Sequence, residues 1–266
     1  MYMSMEINFK KKFGQNFLTD GNLLSAIVAD SGVNKDTTVV EVGAGAGALT
    51  SKLCEKAKRV FSFEIDTELV PVLQHNLAGY NNVDVVFKDF LTIANNELTD
   101  IVGNNFAVVA NLPYYITSPL ITKFLTCGAN VKSLTVMVQL EVAQRIVAKP
   151  KTKDYGVLSI MVQLCGTPKI TRIVGRQMFT PAPNVDSAIV HIDVEKIPNN
   201  YKQIVEFVKT CFSSRRKTLI NNLSRQYSKE EINSCLLQAN ISPAVRAEEL
   251  SVKELENLYR IFAKNS

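Results

Sequence analysis

Residues 38–47 read Thr38-Val-Val-Glu-Val-Gly-Ala-Gly-Ala-Gly47, a β-branched apolar run followed by three glycines at alternate positions. β-branched residues favour an extended strand. Glycine lets the backbone turn sharply and approach a ligand closely. The segment therefore predicts a strand at 38–42, a glycine loop and a helix at 47–57, which is the first unit of a parallel α/β sheet.

The same alternation of apolar runs with helix-length segments continues along the chain. Further strands are predicted at 60–64, 83–88, 106–110 and 134–139. Further helices are predicted at 67–77, 118–125 and 141–148. The short spacing indicates a mostly parallel sheet covered on both faces. Two later runs, 169–173 and 187–194, are predicted to be an antiparallel pair of strands at one edge.

The pattern becomes wholly helical after the turn-forming stretch Ile197-Pro-Asn-Asn200. Helices are predicted at 201–212, 216–223, 229–238 and 252–262. We therefore predict a domain boundary near residue 199, with an α/β domain at 1–198 and a small all-α domain at 199–266.

The composition is that of an ordinary globular protein, because 46% of the 266 residues are hydrophobic and 21% are charged. No apolar run approaches the ~20 residues of a membrane span, and the N-terminus lacks the apolar core of a signal peptide. Five scattered cysteines argue against a disulfide framework and predict a reducing cytoplasm. Two histidines argue against a histidine-based metal site.

The net charge of +5 is distributed unevenly. Residues 21–140 contain eight basic and eleven acidic side chains, whereas residues 141–176 contain seven basic and two acidic ones. Residues 200–266 contain eleven basic and seven acidic side chains. Two basic segments beside an acidic one predict a polyanionic partner. Charge alone is equally consistent with a solvated surface.

The glycine loop by itself fits a dinucleotide site, an S-adenosylmethionine site or a tight structural turn. Glu64 ends the second predicted strand, 21 residues after Gly43. A carboxylate there can accept hydrogen bonds from both ribose hydroxyls of an adenosine-containing cofactor, although a surface glutamate is the alternative. Asp89 follows the third strand and can reach the adenine amino group, whereas by itself it is typical of a helix N-cap.

Asn111-Leu-Pro-Tyr114 follows the fourth predicted strand. An exocyclic adenine amine is a poor nucleophile because its lone pair is delocalised into the ring. The Asn111 side-chain carbonyl and the Leu112 backbone carbonyl can accept from its N–H groups and favour a pyramidal nitrogen. Pro113 fixes the backbone direction, and Tyr114 offers an aromatic face to a flipped base. The motif predicts methyl transfer to adenine by positioning, without a general base.

A second stacking face is predicted at Phe179, in the run Phe179-Thr-Pro-Ala-Pro-Asn-Val-Asp-Ser187. An ordinary core aromatic is the alternative for this residue.

Six motifs occur in order along the chain: Lys12-Phe-Gly-Gln-Asn-Phe-Leu18, Glu41-Val-Gly-Ala-Gly-Ala-Gly47, Asn111-Leu-Pro-Tyr-Tyr-Ile-Thr117, Gln139-Leu-Glu-Val-Ala143, the run 179–187, and Phe212-Ser-Ser-Arg-Arg-Lys-Thr218. Together they resemble the KsgA/RsmA family, the bacterial 16S ribosomal RNA adenine-N6,N6-dimethyltransferases, over roughly residues 8–262. The resemblance implies a Rossmann-like class I methyltransferase domain with a small helical C-terminal domain. It implies S-adenosylmethionine as donor and dimethylation of two adjacent adenosines in the 3′-terminal hairpin loop of 16S rRNA. A cytoplasmic monomer acting on the immature 30S subunit, without metal or membrane, is expected.

Carried over by motif, the cofactor-binding residues are Asn16, Leu18, Gly43, Glu64, Asp89 and Asn111. Four neighbours complete the predicted cofactor site: Gln15, Gly45, Ile65 and Phe90. Residues 15–18 are expected to fold over the cofactor as a lid.

The predicted RNA-binding residues are basic side chains that can meet backbone phosphates: Lys10, Lys11, Arg145, Lys149, Lys151, Lys153, Arg215, Arg216 and Lys217. Lys10 and Lys11 fit a solvated tail as well. An arginine of the run 215–217, which is predicted to lie on a helix, can alternatively pair with Asp186.

Three alternative functions stay open at this point. An Erm-type 23S rRNA methyltransferase shares the fold and the chemistry. A nicotinamide-dependent oxidoreductase also uses a glycine loop and an acid after the second strand, but it gives the motif at 111–114 no role. A non-catalytic ribosome-assembly factor with this fold is the third.

Overall fold

The computed structural model describes residues 17–18 and 20–265. The chain divides into two compact units. The first comprises the described residues up to Ala143 together with Pro168–Glu195, and the second comprises Gln144–Thr167 together with the described residues from Lys196 onward.

Nine strands are present in the described part of the chain: β1 (Phe17–Leu18), β2 (Thr38–Val42), β3 (Arg59–Glu64), β4 (Val83–Phe87), β5 (Asn105–Asn111), β6 (Asn130–Gln139), β7 (Gly166–Val174), β8 (Phe179–Thr180) and β9 (Ser187–Val194). Seven of them form one sheet in the order β4-β3-β2-β5-β6-β9-β7. The pairs from β4 through β6 are parallel, and β9 runs antiparallel to β6. β1 and β8 form a separate antiparallel pair.

The first six helices along the described chain are α1 (Gly21–Asp30), α2 (Ala48–Lys56), α3 (Val70–Leu77), α4 (Asn95–Val102), α5 (Thr117–Thr126) and α6 (Leu140–Val147). The later helices are α7 (Val157–Gln163), α8 (Tyr201–Cys211), α9 (Leu219–Leu223), α10 (Lys229–Gln238) and α11 (Val252–Asn265). In the described residues, no helix has the length and apolar character that crossing a bilayer requires.

The central strands are apolar because both faces of the sheet are covered. Every residue from Phe106 to Ala110 in β5 is at most 3% exposed. The connections between the parallel strands contain helices, as parallel pairing requires. The predicted α/β class, with a mostly parallel sheet and an antiparallel edge, is confirmed.

Three helices absent from the prediction are α1, α4 and α7. α1 begins at a glycine, and its start is fixed by a cap in which the Leu23 N–H donates to Asp20 Oδ1 at 2.7 Å. The cap satisfies one of the orphan donors at the helix N-terminus. A glycine in the first helical position obscures this start in the sequence.

The predicted helix at 216–223 is wrong in its first turn. α9 begins only at Leu219, so the basic run 215–217 lies in the turn before it. The Asn222 side-chain amide donates to the carbonyls of Cys211 at 2.6 Å and Ser214 at 3.0 Å. These bonds satisfy carbonyls at the end of α8 and in the turn, and they stabilise the non-helical backbone before α9.

The observed division into units differs from the predicted domains 1–198 and 199–266, because residues 144–167 pack in the helical unit. Tyr155 and Ile160 are buried in one core with Leu236 and Leu255. The Tyr155 hydroxyl donates to the Leu250 carbonyl at 3.0 Å. Apolar burial therefore assigns the segment to the second unit, although it precedes the last strands of the sheet.

Candidate cofactor and substrate site

A cavity in the first unit opens where β2, β3 and β5 end, at the carboxyl edge of the parallel strands. Open α/β sheets bind their ligands at this edge. Predicted site residues that line it are Leu18, Gly43, Gly45, Glu64, Ile65, Asp89, Phe90, Asn111, Leu112, Pro113 and Tyr114. The cavity therefore brings the glycine loop and the motif at 111–114 together.

The glycine loop passes close to the end of β5. Gly43 has a φ of +87°, in the left-handed region that side chains rarely adopt. A Cβ atom at this position would lie 3.7 Å from the Asn111 carbonyl oxygen. Gly47, with a φ of +84°, starts α2, and a Cβ there would lie 3.2 Å from Leu73 Cδ2. Glycine is required by backbone conformation at both positions and by close packing at Gly47.

Glu64 is buried and accepts three backbone hydrogen bonds. The Gly45 N–H donates to Oε2 at 2.8 Å, and the N–H groups of Ile65 and Asp66 donate to Oε1 at 2.8 and 2.9 Å. Burial raises the pKa of Glu64, and these hydrogen bonds partly oppose the rise. The carboxylate thus has a fixed orientation at the cavity wall and is not a mobile surface group.

Glu41 lines the cavity too, and the sequence analysis did not assign it a role. The side chain is 1% exposed, and Thr50 Oγ1 and Ser62 Oγ both donate to its Oε2 at 2.6 Å. Oε1 is buried and has no hydrogen-bond partner among the described residues. Burial raises the pKa of Glu41 to about 8. A glutamate inside an apolar strand beside a glycine loop is the sequence signal for this residue.

Asp89 caps the short 3-10 helix Phe90–Thr92, since its Oδ1 accepts from the Leu91 N–H at 2.9 Å. The N-cap interpretation is therefore confirmed, and the residue lines the cavity as well. Lys123 of α5 holds this same segment, by donating to the carbonyls of Leu91 and Ile93. Its ammonium lies 5.6 Å from the centre of the Phe90 ring. Lys123 thus supports the loop that carries two predicted cofactor residues.

The backbone at 111–114 is fixed from two sides. The Leu112 N–H donates to the Met137 carbonyl of β6 at 3.2 Å. The buried Thr117 hydroxyl donates to the Pro113 carbonyl, also at 3.2 Å. The half-buried Tyr114 lines the cavity, and its hydroxyl lies 2.6 Å from Ser187 Oγ. The motif is thus held as a rigid turn at the cavity wall.

Phe179 is not placed as the sequence analysis predicts. It is 3% exposed, does not line the cavity, and packs in a core with Ile27, Met137 and Ile189. β8 pairs with β1 so that Phe179 lies opposite Leu18. The alternative of a core aromatic is therefore the one that this structure bears out. The exposed aromatic at the cavity is Tyr115, which is 59% exposed.

The described residues predicted to bind RNA all lie in the second unit, and all are exposed: Arg145, Lys149, Lys151, Lys153, Arg215, Arg216 and Lys217. They come from α6 and from two turns, at 149–153 and 215–217, that contact each other. Lys10, Lys11, Gln15 and Asn16 lie outside the described residues, so their predicted roles stay predictions.

Arg215 forms an ion pair with an acidic residue of the second unit. Its Nε donates to Glu248 Oε2 at 2.5 Å, and Nη2 donates to the Thr152 carbonyl at 3.0 Å. The Lys151 N–H also donates to the Glu248 carbonyl, at 2.8 Å. The alternative partner Asp186 instead accepts from the backbone N–H of Arg176 at 2.9 Å. Arg215 therefore links its own turn at 215–217 to the turn at 149–153 and to the segment that contains Glu248.

Comparison with known proteins covers almost the whole chain. The profile of the family described as "Ribosomal RNA adenine dimethylase" matches residues 6–264. A protein of Enterococcus faecalis named "Ribosomal RNA small subunit methyltransferase A" is 45% identical over 97% of this chain and 92% of its own length. A protein of the same name from Clostridium botulinum is 42% identical over 95% of this chain and 94% of its own length.

Two solved structures share the fold over most of the chain. A dimethyladenosine transferase from Plasmodium falciparum has a TM-score of 0.82 and 26% identity, and the match covers 93% of this chain and 98% of that one. The 23S rRNA methyltransferase ErmE has a TM-score of 0.71 and 27% identity, over 93% of this chain and all of that one. The resemblance predicted from the six motifs is confirmed, and the chain belongs to the ribosomal RNA adenine dimethylase family.

Proposed function

We propose that this protein transfers methyl groups from S-adenosylmethionine to N6 of two adjacent adenosines in the 3′-terminal hairpin loop of 16S rRNA. The observation that carries the proposal is the placement of Asn111 in the cavity lined by Gly43, Gly45 and Glu64. The glycine loop, which is proposed to bind the donor, and the motif at 111–114, which is proposed to bind the adenine amine, then line one cavity. The relatives that are 41–45% identical are named small-subunit methyltransferases, which favours 16S rRNA as the substrate.

The cavity residues fit the proposed donor. Glu64 is oriented by three backbone N–H groups and offers its remaining lone pairs to ribose hydroxyls. The buried Oε1 of Glu41 has no hydrogen-bond partner among the described residues, so it is available to a polar group of a bound ligand. Ile65, which is 41% exposed at the cavity, offers apolar surface for an adenine ring. Asp89 lies in the same cavity, at the end of β4.

The proposed mechanism is one of positioning. The bound donor supplies a methyl group on a sulfonium sulfur, a good leaving group. The Asn111 side-chain carbonyl and the Leu112 backbone carbonyl accept hydrogen bonds from the target amine, so its lone pair becomes available for attack. Tyr114 stacks on the flipped base and fixes the direction of approach. No side chain needs to remove a proton, because the ammonium product loses its proton to solvent.

The exposed basic side chains of the second unit are proposed to hold the ribosomal RNA by its phosphates. Lys149, Lys151 and Lys153 lie in one turn, and Arg216 and Lys217 lie in the turn that contacts it. Phosphate contacts give salt-dependent affinity without base specificity. We propose that the protein acts as a monomer without a metal, on the immature small subunit in the cytoplasm.

The test is to incubate the protein with labelled donor and purified 30S or 50S particles. We expect label in 16S rRNA of 30S particles and none in 23S rRNA. The second candidate is an Erm-type 23S rRNA methyltransferase, favoured by the structural match to ErmE with its TM-score of 0.71. Label that entered 23S rRNA alone would establish that alternative. Binding that occurred without transfer to either RNA would indicate a non-catalytic assembly factor.

A further inference from the structure

We propose that Ser187 is a positioning residue for methyl transfer: its buried hydroxyl fixes the ring of Tyr114 in the orientation that receives the target adenine. The inference rests on the proposed function for the identity of that base. It gives a role to the end of the motif at 179–187, whose first residue, Phe179, is buried away from the cavity.

The hydroxyl of Ser187 comes from a rigid part of the fold. Ser187 is the first residue of β9, is 0% exposed, and lies opposite Gln139 of β6 in the sheet. The neighbouring Asp186 carbonyl accepts from the Leu140 N–H at 2.9 Å, which also fixes the start of α6. A hydroxyl at this strand position has little freedom to follow a moving partner.

Tyr114 is held at its backbone and at the tip of its side chain. In the adjoining backbone, the Pro113 carbonyl accepts from the Thr117 hydroxyl and from the Ile116 N–H, both at 3.2 Å. At its tip, the phenolic oxygen lies 2.6 Å from Ser187 Oγ. The ring between these two anchors lines the cavity and is half-buried. The tip contact is thus a structural reason for tyrosine, rather than phenylalanine, at position 114.

Fixing the ring before the substrate arrives favours binding of a flipped base. A ring free to rotate loses that freedom when a base stacks on it, and the loss weakens binding. Burial raises the pKa of Tyr114, so the phenol stays protonated at neutral pH and keeps a proton for the Ser187 contact. Preorganised stacking also keeps the amine close to the reacting carbon.

The first test is a double-mutant cycle with Ser187→Ala, Tyr114→Phe and the double variant, assayed on 30S particles. Each single change breaks the same contact, so we expect each to lower kcat/KM for RNA by about fivefold to tenfold. The double variant should be no worse than about tenfold, because the two effects share one interaction. Donor affinity should stay at the wild-type value in all three.

Ser31→Ala is the matched control. Ser31 is 5% exposed, and its hydroxyl donates to the Val28 carbonyl at 2.6 Å, away from the cavity lining. This change also removes a buried hydroxyl hydrogen bond, but we expect it to leave kcat/KM unchanged. Effects of Ser187→Ala and Tyr114→Phe that multiply in the double variant would overturn the proposal. So would an effect of Ser187→Ala equal to that of Ser31→Ala.

The second test needs no RNA. In protein labelled at tyrosine ring carbons, NMR relaxation reports the order of the Tyr114 ring directly. We expect an ordered ring in the wild type and in Ser31→Ala, and a mobile ring in Ser187→Ala. Equal ring order in the wild type and Ser187→Ala would contradict the proposal. If the wild type methylated neither particle, the proposed function would fail, and ring order would still decide whether Ser187 holds Tyr114.

Discussion

The Gly45 N–H donates to Glu64 Oε2 at 2.8 Å, so the loop after β2 is bonded directly to the carboxylate that ends β3. Parallel pairing of these strands places Val42 opposite Phe63, which brings the loop and the acid side by side. The bond also keeps Glu64 oriented despite its burial. In the proposed function, recognition of the donor depends on an acid whose position is set by the glycine loop.

Glu64→Gln should weaken donor binding by at least about tenfold, because a charged acceptor is lost. The glutamine amide also places a donor near N–H groups that need acceptors. Isothermal titration calorimetry with S-adenosylmethionine measures the effect. Glu55→Gln, an exposed change on α2, is the control and should bind as the wild type does. Equal affinities for Glu64→Gln and the control would contradict the assignment of Glu64.

The raised pKa of Glu41 predicts how the free energy of unfolding changes with pH. Its pKa is raised by burial to about 8, above the value of 4.5 for an unperturbed glutamate. Between these values the native protein holds a proton that the unfolded chain releases. The free energy of unfolding therefore decreases as pH rises from about 5 to about 8, by at most about 5 kcal/mol from this group.

Glu41→Gln should remove this contribution while keeping an acceptor for Thr50 and Ser62. Urea unfolding at pH 5, 7 and 8.5 measures the difference between the two proteins. We expect the wild type to lose more stability than the variant over this range. Parallel pH curves for the two proteins would show that Glu41 does not titrate as its burial implies.

Much of the parallel sheet could be predicted from local sequence. β2, β3, β4 and β9 are apolar runs beside turn signals, and the predicted bounds agree within a residue with the observed ones. The placement of Glu64 and Asn111 at one cavity follows from parallel topology, because both end parallel strands. Local pattern and general topology were sufficient for these features.

Other features depend on contacts between distant residues and leave no local pattern. Ser187 and Tyr114 are 73 positions apart, and neither side chain alone indicates the other. The burial of Phe179 depends on pairing with β1, a strand of two residues. The turn at 215–217 has strong helix formers, but Asn222 and Glu248 stabilise a non-helical backbone there. Tertiary contacts decided these positions.

Arg215 and Arg216 are adjacent, yet their contacts predict different effects. Arg215→Ala removes the ion pair with Glu248 and the bond to the Thr152 carbonyl. It should lower Tm by about 2–4 °C, since a partly exposed pair contributes about 1 kcal/mol or less. Arg216→Ala should keep the wild-type Tm and weaken RNA binding, with a salt dependence lower by about one phosphate contact.

Differential scanning calorimetry and filter binding at two salt concentrations separate the two variants. Arg215→Ala that left Tm unchanged would show that the pair with Glu248 does not stabilise the second unit. Arg216→Ala with wild-type RNA affinity and salt dependence would remove Arg216 from the proposed RNA surface.

The most direct test of the central claim is primer extension across the 3′ end of 16S rRNA, after 30S particles have been treated with wild-type protein or with Asn111→Ala. Dimethylated adenines stop the polymerase, because their Watson–Crick edge is blocked. We predict stops at two adjacent adenosines with the wild type. We predict none with Asn111→Ala, although that variant should still bind the particles. The absence of stops with the wild type, or full stops with Asn111→Ala, would contradict the account.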